Sequence, residues 1–218
     1  DQVNTEELRT LGVPFWMAGG YGSAAKLREA LDAGATGVQV GTAFAFSDES
    51  GLRHDLKKML IAQAVAGTGQ VFTDPLASPT GFPFKIAQLN GTASDASVYQ
   101  ARERVCDLGY LREPYVTPDG SIGYRCASEP VATYVAKGGK VEDTIGRKCL
   151  CNALLANVGH AQIRKDATVE SALVTVGDDL NTIVQFLDPG QTSYSAAHVI
   201  ETLLSKRNEA HPAQAVKI

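Results

Sequence analysis

Residues 13–50, VPFWMAGGYGSAAKLREALDAGATGVQVGTAFAFSDES, decide the reading of the fold. Residues 13–18 form a short, nearly continuous apolar run ending in Gly19-Gly20, the pattern of a strand buried on both faces. Ser23 then stands as an N-cap before a helix in which Leu27, Ala30 and Leu31 share one side and Gly34 supplies the stop. A second apolar strand is expected over residues 36–40, closed by Gly41-Thr42. Beyond it, Leu52, Leu56, Met59, Leu60 and Ala64 recur at helical spacing, marking an amphipathic helix to about residue 66. Strand, helix, strand and helix with short connections make a βαβα unit with parallel strands, which occurs in doubly wound sheets and in eight-stranded barrels.

Both strands end in glycine-rich turns, Ala18-Gly19-Gly20-Tyr21-Gly22-Ser23 and Val40-Gly41-Thr42-Ala43, and parallel strands place both turns at one edge of the sheet. A phosphate needs several backbone N–H donors converging on one spot. Glycine lets the backbone approach without a Cβ in the way, and a helix N-terminus adds a favourable dipole. One such turn is explained well enough by tight strand-to-helix geometry; two in register argue for a ligand. A dinucleotide fold would read Gly20-Tyr21-Gly22-Ser23-Ala24-Ala25 as its phosphate turn. It would then require an acidic residue for the ribose at the end of the second strand, where the chain has Gln39-Val40-Gly41-Thr42 and no acid before Asp48. In eight-stranded barrels a phosphate commonly sits between the loops after strands seven and eight, and the two turns suit those loops.

At these residues the chain resembles the C-terminal half of the nitronate monooxygenase family of flavoproteins, together with the related FMN-dependent enoyl reductases. Residues 14–50 look like the family's seventh and eighth strand units, and residues 72–85, FTDPLASPTGFPFK, are similar in place to its post-barrel segment. The stretches GRKCLCNALLANVG and SYSAAHVIETLL look like a longer-tailed branch. The resemblance implies an α/β fold: the last two βα units of a (β/α)8 TIM barrel, followed by a mixed, loop-rich C-terminal extension. It implies FMN as cofactor, with Gly19 and Gly20 giving backbone donors to its phosphate from the first turn. Gln39, Val40, Gly41 and Thr42 would provide the second turn, with the Thr42 hydroxyl as an additional donor. The implied reaction is oxidation of an alkyl nitronate, or a related carbanion, by dioxygen. The alternative is an FMN-dependent enoyl-thioester reductase using NAD(P)H. In the family the catalytic histidine lies upstream of the glycine turns, so no catalytic residue is assigned here, and the chain, which begins Asp1-Gln2-Val3, reads as a fragment.

Composition agrees with small-molecule chemistry. The 218 residues are 44% hydrophobic and 20% charged, as in ordinary globular proteins, and no apolar run approaches the ~18 residues that cross a bilayer. With no recognisable secretion signal, a cytoplasmic location is expected, with no membrane partner. A net charge of -4 offers no basic stripe for nucleic acid. The composition leaves the oligomeric state open.

Three stretches give the expected organisation: barrel units over residues 1–66, an appended α/β extension over 67–205, and a polar tail over 206–218. Beyond residue 66 prolines and glycines crowd the sequence, at Asp74-Pro75, Ser78-Pro79, Gly81-Phe82-Pro83 and Pro118-Asp119-Gly120. Regularity is expected again as a helix over residues 149–157 and a buried strand over 173–176. A final helix should carry Ala197, Ile200, Leu203 and Leu204 on one side. Asp178-Asp179 reads as the N-cap of a helix after the strand.

Other chemistry-bearing residues have plainer readings. His54, His160, His198 and His211 avoid strand ends and read as surface or helix-face residues. Cys106, Cys126, Cys149 and Cys151 lack the paired knuckles of a zinc site, so buried small hydrophobes are expected and no metal is assigned; a cysteine-rich binding or assembly module is the reading of another class. Phe82, Phe84 and Lys85 either cover a flavin edge or pack the extension.

Overall fold

Ser23 shows how the local signals become structure. In a computed structural model, which describes residues 3–205, its hydroxyl accepts from the Lys26 N–H at 3.2 Å and opens helix α2, Ala24–Asp32. Gly34, at φ +89°, turns the chain away two residues after that helix ends. A first short helix, α1 (Thr5–Thr10), precedes strand β1 (Trp16–Ala18), and α2 leads to β2 (Gly37–Gln39). β1 and β2 pair in parallel, Trp16 opposite Gly37, Met17 opposite Val38 and Ala18 opposite Gln39. The Trp16 indole lies against Gly37, where an added Cβ would come within 3.2 Å of the ring. The strands are short and open: Trp16 is 59% exposed, and β1 and β2 form a sheet of two.

The described residues make a mixed α/β protein of helices and three two-stranded sheets, with no closed barrel among them. After β2 come α3 (Thr42–Ala45) and α4 (His54–Val65), then an antiparallel pair β3 (Val71–Asp74) and β4 (Phe84–Ala87). Helix α5 (Ala96–Ala101) is followed by a hairpin, β5 (Glu113–Val116) with β6 (Ile122–Arg125). Then come α6 (Val131–Ala136), a 3-10 turn at Val141–Thr144, α7 (Leu150–Asn157), a 3-10 helix at Leu180–Phe186, and α8 (Ala196–Leu204).

The chain divides into two compact units that do not follow sequence order. One comprises the residues up to Gly51, Ile61–Thr68 and the residues from Gly177 onward; the other comprises Leu52–Leu60 and Gly69–Val176. In the first unit Phe46, Leu180, Ile183, Phe186, Tyr194 and Val199 are buried, and the Phe186 and Tyr194 rings meet at 5.6 Å between centroids. The Tyr194 hydroxyl donates to the Ala43 carbonyl at 2.8 Å, which ties the C-terminal segment to α3. Burial pushes that phenol's pKa upward. The second unit has its own core of Ala77, Ile86, Ala93, Leu150, Ala153 and Leu173, with Phe84, Leu111 and Leu154 packed on it.

The strand expected to be buried on both faces over residues 13–18 is instead exposed, because β1 has β2 as its one sheet neighbour, and two further expectations change. Residues 173–176 do not join a ladder of their own: Leu173, Val174 and Val176 are buried, and the Val174 carbonyl accepts from Ala87 N–H of β4 at 2.9 Å, but Thr175 points outward and the pairing stops there. On α8 the buried residues are Val199 and Leu203, whereas Ile200 is exposed and Leu204 is 70% exposed. This helix is apolar over so wide an arc that periodicity alone does not pick the inward side. His211 and the polar tail lie outside the described residues.

Candidate phosphate-binding site

The parallel register brings the two glycine turns side by side, since Ala18 opposite Gln39 puts Gly19-Gly20 and Val40-Gly41 at the same end of the strand pair. Gly19 and Gly20 have φ of +83° and +81°, the left-handed region that L side chains rarely adopt. Gly41 differs: at φ -105° and ψ -61° it begins α3 with no side chain capping the helix's first N–H groups. A Cβ at any of these three glycines would meet nothing within 4 Å. The place of a side chain at each of them is open space.

Thr42 and Val40 have protein neighbours instead. Thr42 is only 7% exposed; its hydroxyl donates to Asp179 Oδ1 at 2.6 Å and accepts from the Gly177 N–H at 3.2 Å. The Val40 side chain lies by Gly22, and Gln39 is exposed. Asp179 closes the back of the site. An added Cβ at Gly22 would stand 3.3 Å from Asp179 Oδ2, and one at Gly177 would stand 2.4 Å from Oδ1 and 2.8 Å from the Thr42 hydroxyl. A side chain at Gly177 would have to displace this carboxylate and the Thr42 hydroxyl, and one at Gly22 would crowd it. The Gln185 amide donates to the Gly22 carbonyl at 3.0 Å, fixing the first turn to the 3-10 helix.

Asp179 occupies the N-cap position of that 3-10 helix, but its side chain makes no capping bond, because Thr42 holds it. Its membership of the site escapes sequence reasoning, in which an Asp after a buried run is a cap; the one available sign was Gly177 directly before two aspartates. The backbone half of the cradle (Gly19, Gly20, Gly41 and the start of α3) suits a terminal phosphate. The Thr42 proton is committed to a carboxylate, and an arriving anion meets the negative charge of Asp179.

The remaining candidates lie elsewhere. His54 starts α4, His160 is exposed after α7, and His198 sits on α8. Cys106, Cys126, Cys149 and Cys151 are all free thiols, and burial pushes Cys126 and Cys149 up in pKa. Among the described residues no three His, Cys, Asp or Glu side chains gather as a metal would need. In the second unit Phe82 and Phe84 line, with Tyr110, Leu111, Leu150 and Leu154, an open apolar cleft of about 370 Å³, while Lys85 pairs across to Thr73. No described helix is long and apolar enough to cross a membrane. No protein-family model, curated protein or solved structure matches the chain.

Proposed function

We propose that the paired glycine turns hold the terminal phosphate of FMN and that the chain belongs to a flavoprotein that oxidises alkyl nitronates with dioxygen. The observation that carries the proposal is the open, in-register pair of turns: two consecutive left-handed glycines after β1, and Gly41 leading an uncapped helix start after β2. A nucleotide's terminal phosphate is what such N–H groups recognise, and the missing acid at the end of β2 disfavours a dinucleotide. In this reading Gly19, Gly20 and Gly41 approach the phosphate through backbone alone, and Gln39 and Val40 shape the second turn. Thr42 and Asp179 brace the turn from behind, holding α3 and the 3-10 helix together.

When bound, the flavin supplies the redox chemistry, accepting electrons from a carbanion and passing them to dioxygen. This chain's part is to bind and orient. The reading is tested by titrating the protein with FMN and with FAD, then adding a nitronate without oxygen. FMN bound in preference to FAD, and bleached by the nitronate but not by NADPH, supports it. Bleaching by NADPH alone would move the assignment to the enoyl-thioester reductase, and a preference for FAD would overturn the cradle itself.

A further inference from the structure

One short helix holds both glycine turns. A 3-10 helix has three residues per turn, so in the one at Leu180–Phe186 the side chains of Leu180, Ile183 and Phe186 fall on one side, and all three are buried. That side fixes the helix in the core of the first unit, where Phe186 meets Tyr194. Two polar side chains reach from it to the turns. Asp179, at its start, holds the Thr42 hydroxyl of the second turn at 2.6 Å, and Gln185, near its end, donates its amide to the Gly22 carbonyl of the first at 3.0 Å.

The bond from Gln185 settles the direction of one peptide group. Between Gly19 and Ser23 the chain reads Gly-Gly-Tyr-Gly-Ser, and Gly22 has no side chain whose packing could fix the turn from within. Glycine lets the peptide that follows it tilt at little cost. In a trans peptide, as all the described ones are, the C=O and the N–H point in opposite directions. With the Gly22 carbonyl held by Gln185, the Ser23 N–H of the same peptide is aimed away from Gln185, and it donates to no described residue. Hydrogen bonds weaken steeply as they bend, so a peptide free to tilt would be a poor donor to a fixed anion.

We propose that Gln185 is a positioning residue for the phosphate: by holding the Gly22 carbonyl it aims the Ser23 N–H as a further donor beside Gly19, Gly20 and Gly41. It thereby makes the site select a phosphorylated flavin over an unphosphorylated one. The proposal rests on the reading of the turns as a cradle for the FMN phosphate, and adds to it the residue that sets the direction of one donor. Gln185 itself touches no ligand. Its amide is suited to the task because it donates to a carbonyl without bringing charge. A glutamate of the same size could only accept, would repel the Gly22 carbonyl and would swing the peptide out of line.

Titration of the full chain with FMN and with riboflavin, read by flavin fluorescence, tests the proposal, because riboflavin has the same ring and ribityl chain but no phosphate. The unaltered protein should bind FMN at least about tenfold more tightly than riboflavin. Gln185→Leu, which removes the donor, should cut that preference by about tenfold while leaving riboflavin affinity unchanged. Gln185→Glu, an isosteric second variant, should cut it at least as far. A role confined to stability would weaken both flavins alike and leave their ratio where it was. Equal binding of FMN and riboflavin by the unaltered protein, or binding of neither, would overturn the cradle and this proposal with it. A preference for FMN that survives in both variants, or that is lost only through parallel weakening of the two flavins, would overturn the role of Gln185 and leave the cradle standing.

Discussion

Replacing Gly41 and Gly20 in turn by leucine separates the cost of a side chain to the fold from its cost to the ligand. At Gly41 the backbone angles suit any L residue and an added Cβ meets nothing within 4 Å. Gly41→Leu should therefore leave stability unchanged or raise it by about 0.4–1 kcal/mol, through the smaller entropy of the unfolded chain. Gly20 has equal space but sits at φ +81°, where an L side chain costs roughly 1–2 kcal/mol. At about 2–4 °C per kcal/mol for a protein of this size, Gly20→Leu should lower Tm by about 2–8 °C. Both side chains, however, enter the volume assigned to the phosphate. Loss of a hydrogen bond to a charged group costs about 1.5–3 kcal/mol, so FMN affinity should fall roughly ten- to a hundredfold in both variants. Circular dichroism melts and quenching of flavin fluorescence read the two quantities separately. Undiminished FMN affinity in Gly41→Leu would refute the placement of the cradle, and a Tm loss in Gly41→Leu as large as in Gly20→Leu would refute the account of the turns.

Asp179→Asn, which keeps the shape and an acceptor for the Thr42 hydroxyl but removes the charge behind the glycine turns, should strengthen FMN binding; a weaker complex in a folded variant would show that the carboxylate assists the ligand. Glu170→Ala leaves Arg102 and Arg164 buried together without a counter-ion and should cost about 3–5 kcal/mol in urea unfolding; a loss below about 1 kcal/mol would mean the cluster is not dry. Asp119, in the turn between β5 and β6, has its pKa lowered to about 2, first by the Thr117 hydroxyl, then by the Ser121 hydroxyl and N–H. Its contribution to the hairpin should be complete above the ordinary carboxylate value of 3.8 and vanish as pH falls through about 2, which an NMR titration of its carboxyl carbon would follow; a midpoint near 3.8 would show the turn is not formed.

What the sequence revealed and what it concealed divide by range. Ser23 as a cap, Gly34 as a stop, the helix around residues 54–65 and the helix at 150–157 are written within a few neighbouring residues, and each appears where expected. The pairing of β1 with β2 needs only the intervening helix, so the adjacency of the two glycine turns was legible as well. The contact between Thr42 and Asp179 joins residues 137 positions apart, and the Arg102–Glu170 pair spans 68. Nothing local marks such partners: Asp179 has the sequence context of a cap, and Arg102 and Glu170 look like surface charges. The inward side of α8 was hidden for another reason, that it offers apolar residues in several directions and tertiary packing alone selects Val199 and Leu203.

The path of the chain through the two units also dictates the order in which they can form. The second unit draws most of its residues from one continuous stretch, Gly69–Val176, whereas the first recruits residues on both sides of it. During synthesis the segment with β1, α2 and β2 is made before the second unit, but its tethers at Thr42, Ala43 and Gly22 connect to Asp179, Tyr194 and Gln185, which are made after it. A two-stranded parallel ribbon has little stability by itself. The first unit therefore matures only after the second has been synthesised. Closing a loop costs entropy that grows with the logarithm of its length, so that last step depends on the state of the residues between its two halves. Mutations that loosen the core around Ile86, Leu150 and Leu173 should thus reach the glycine turns through folding kinetics.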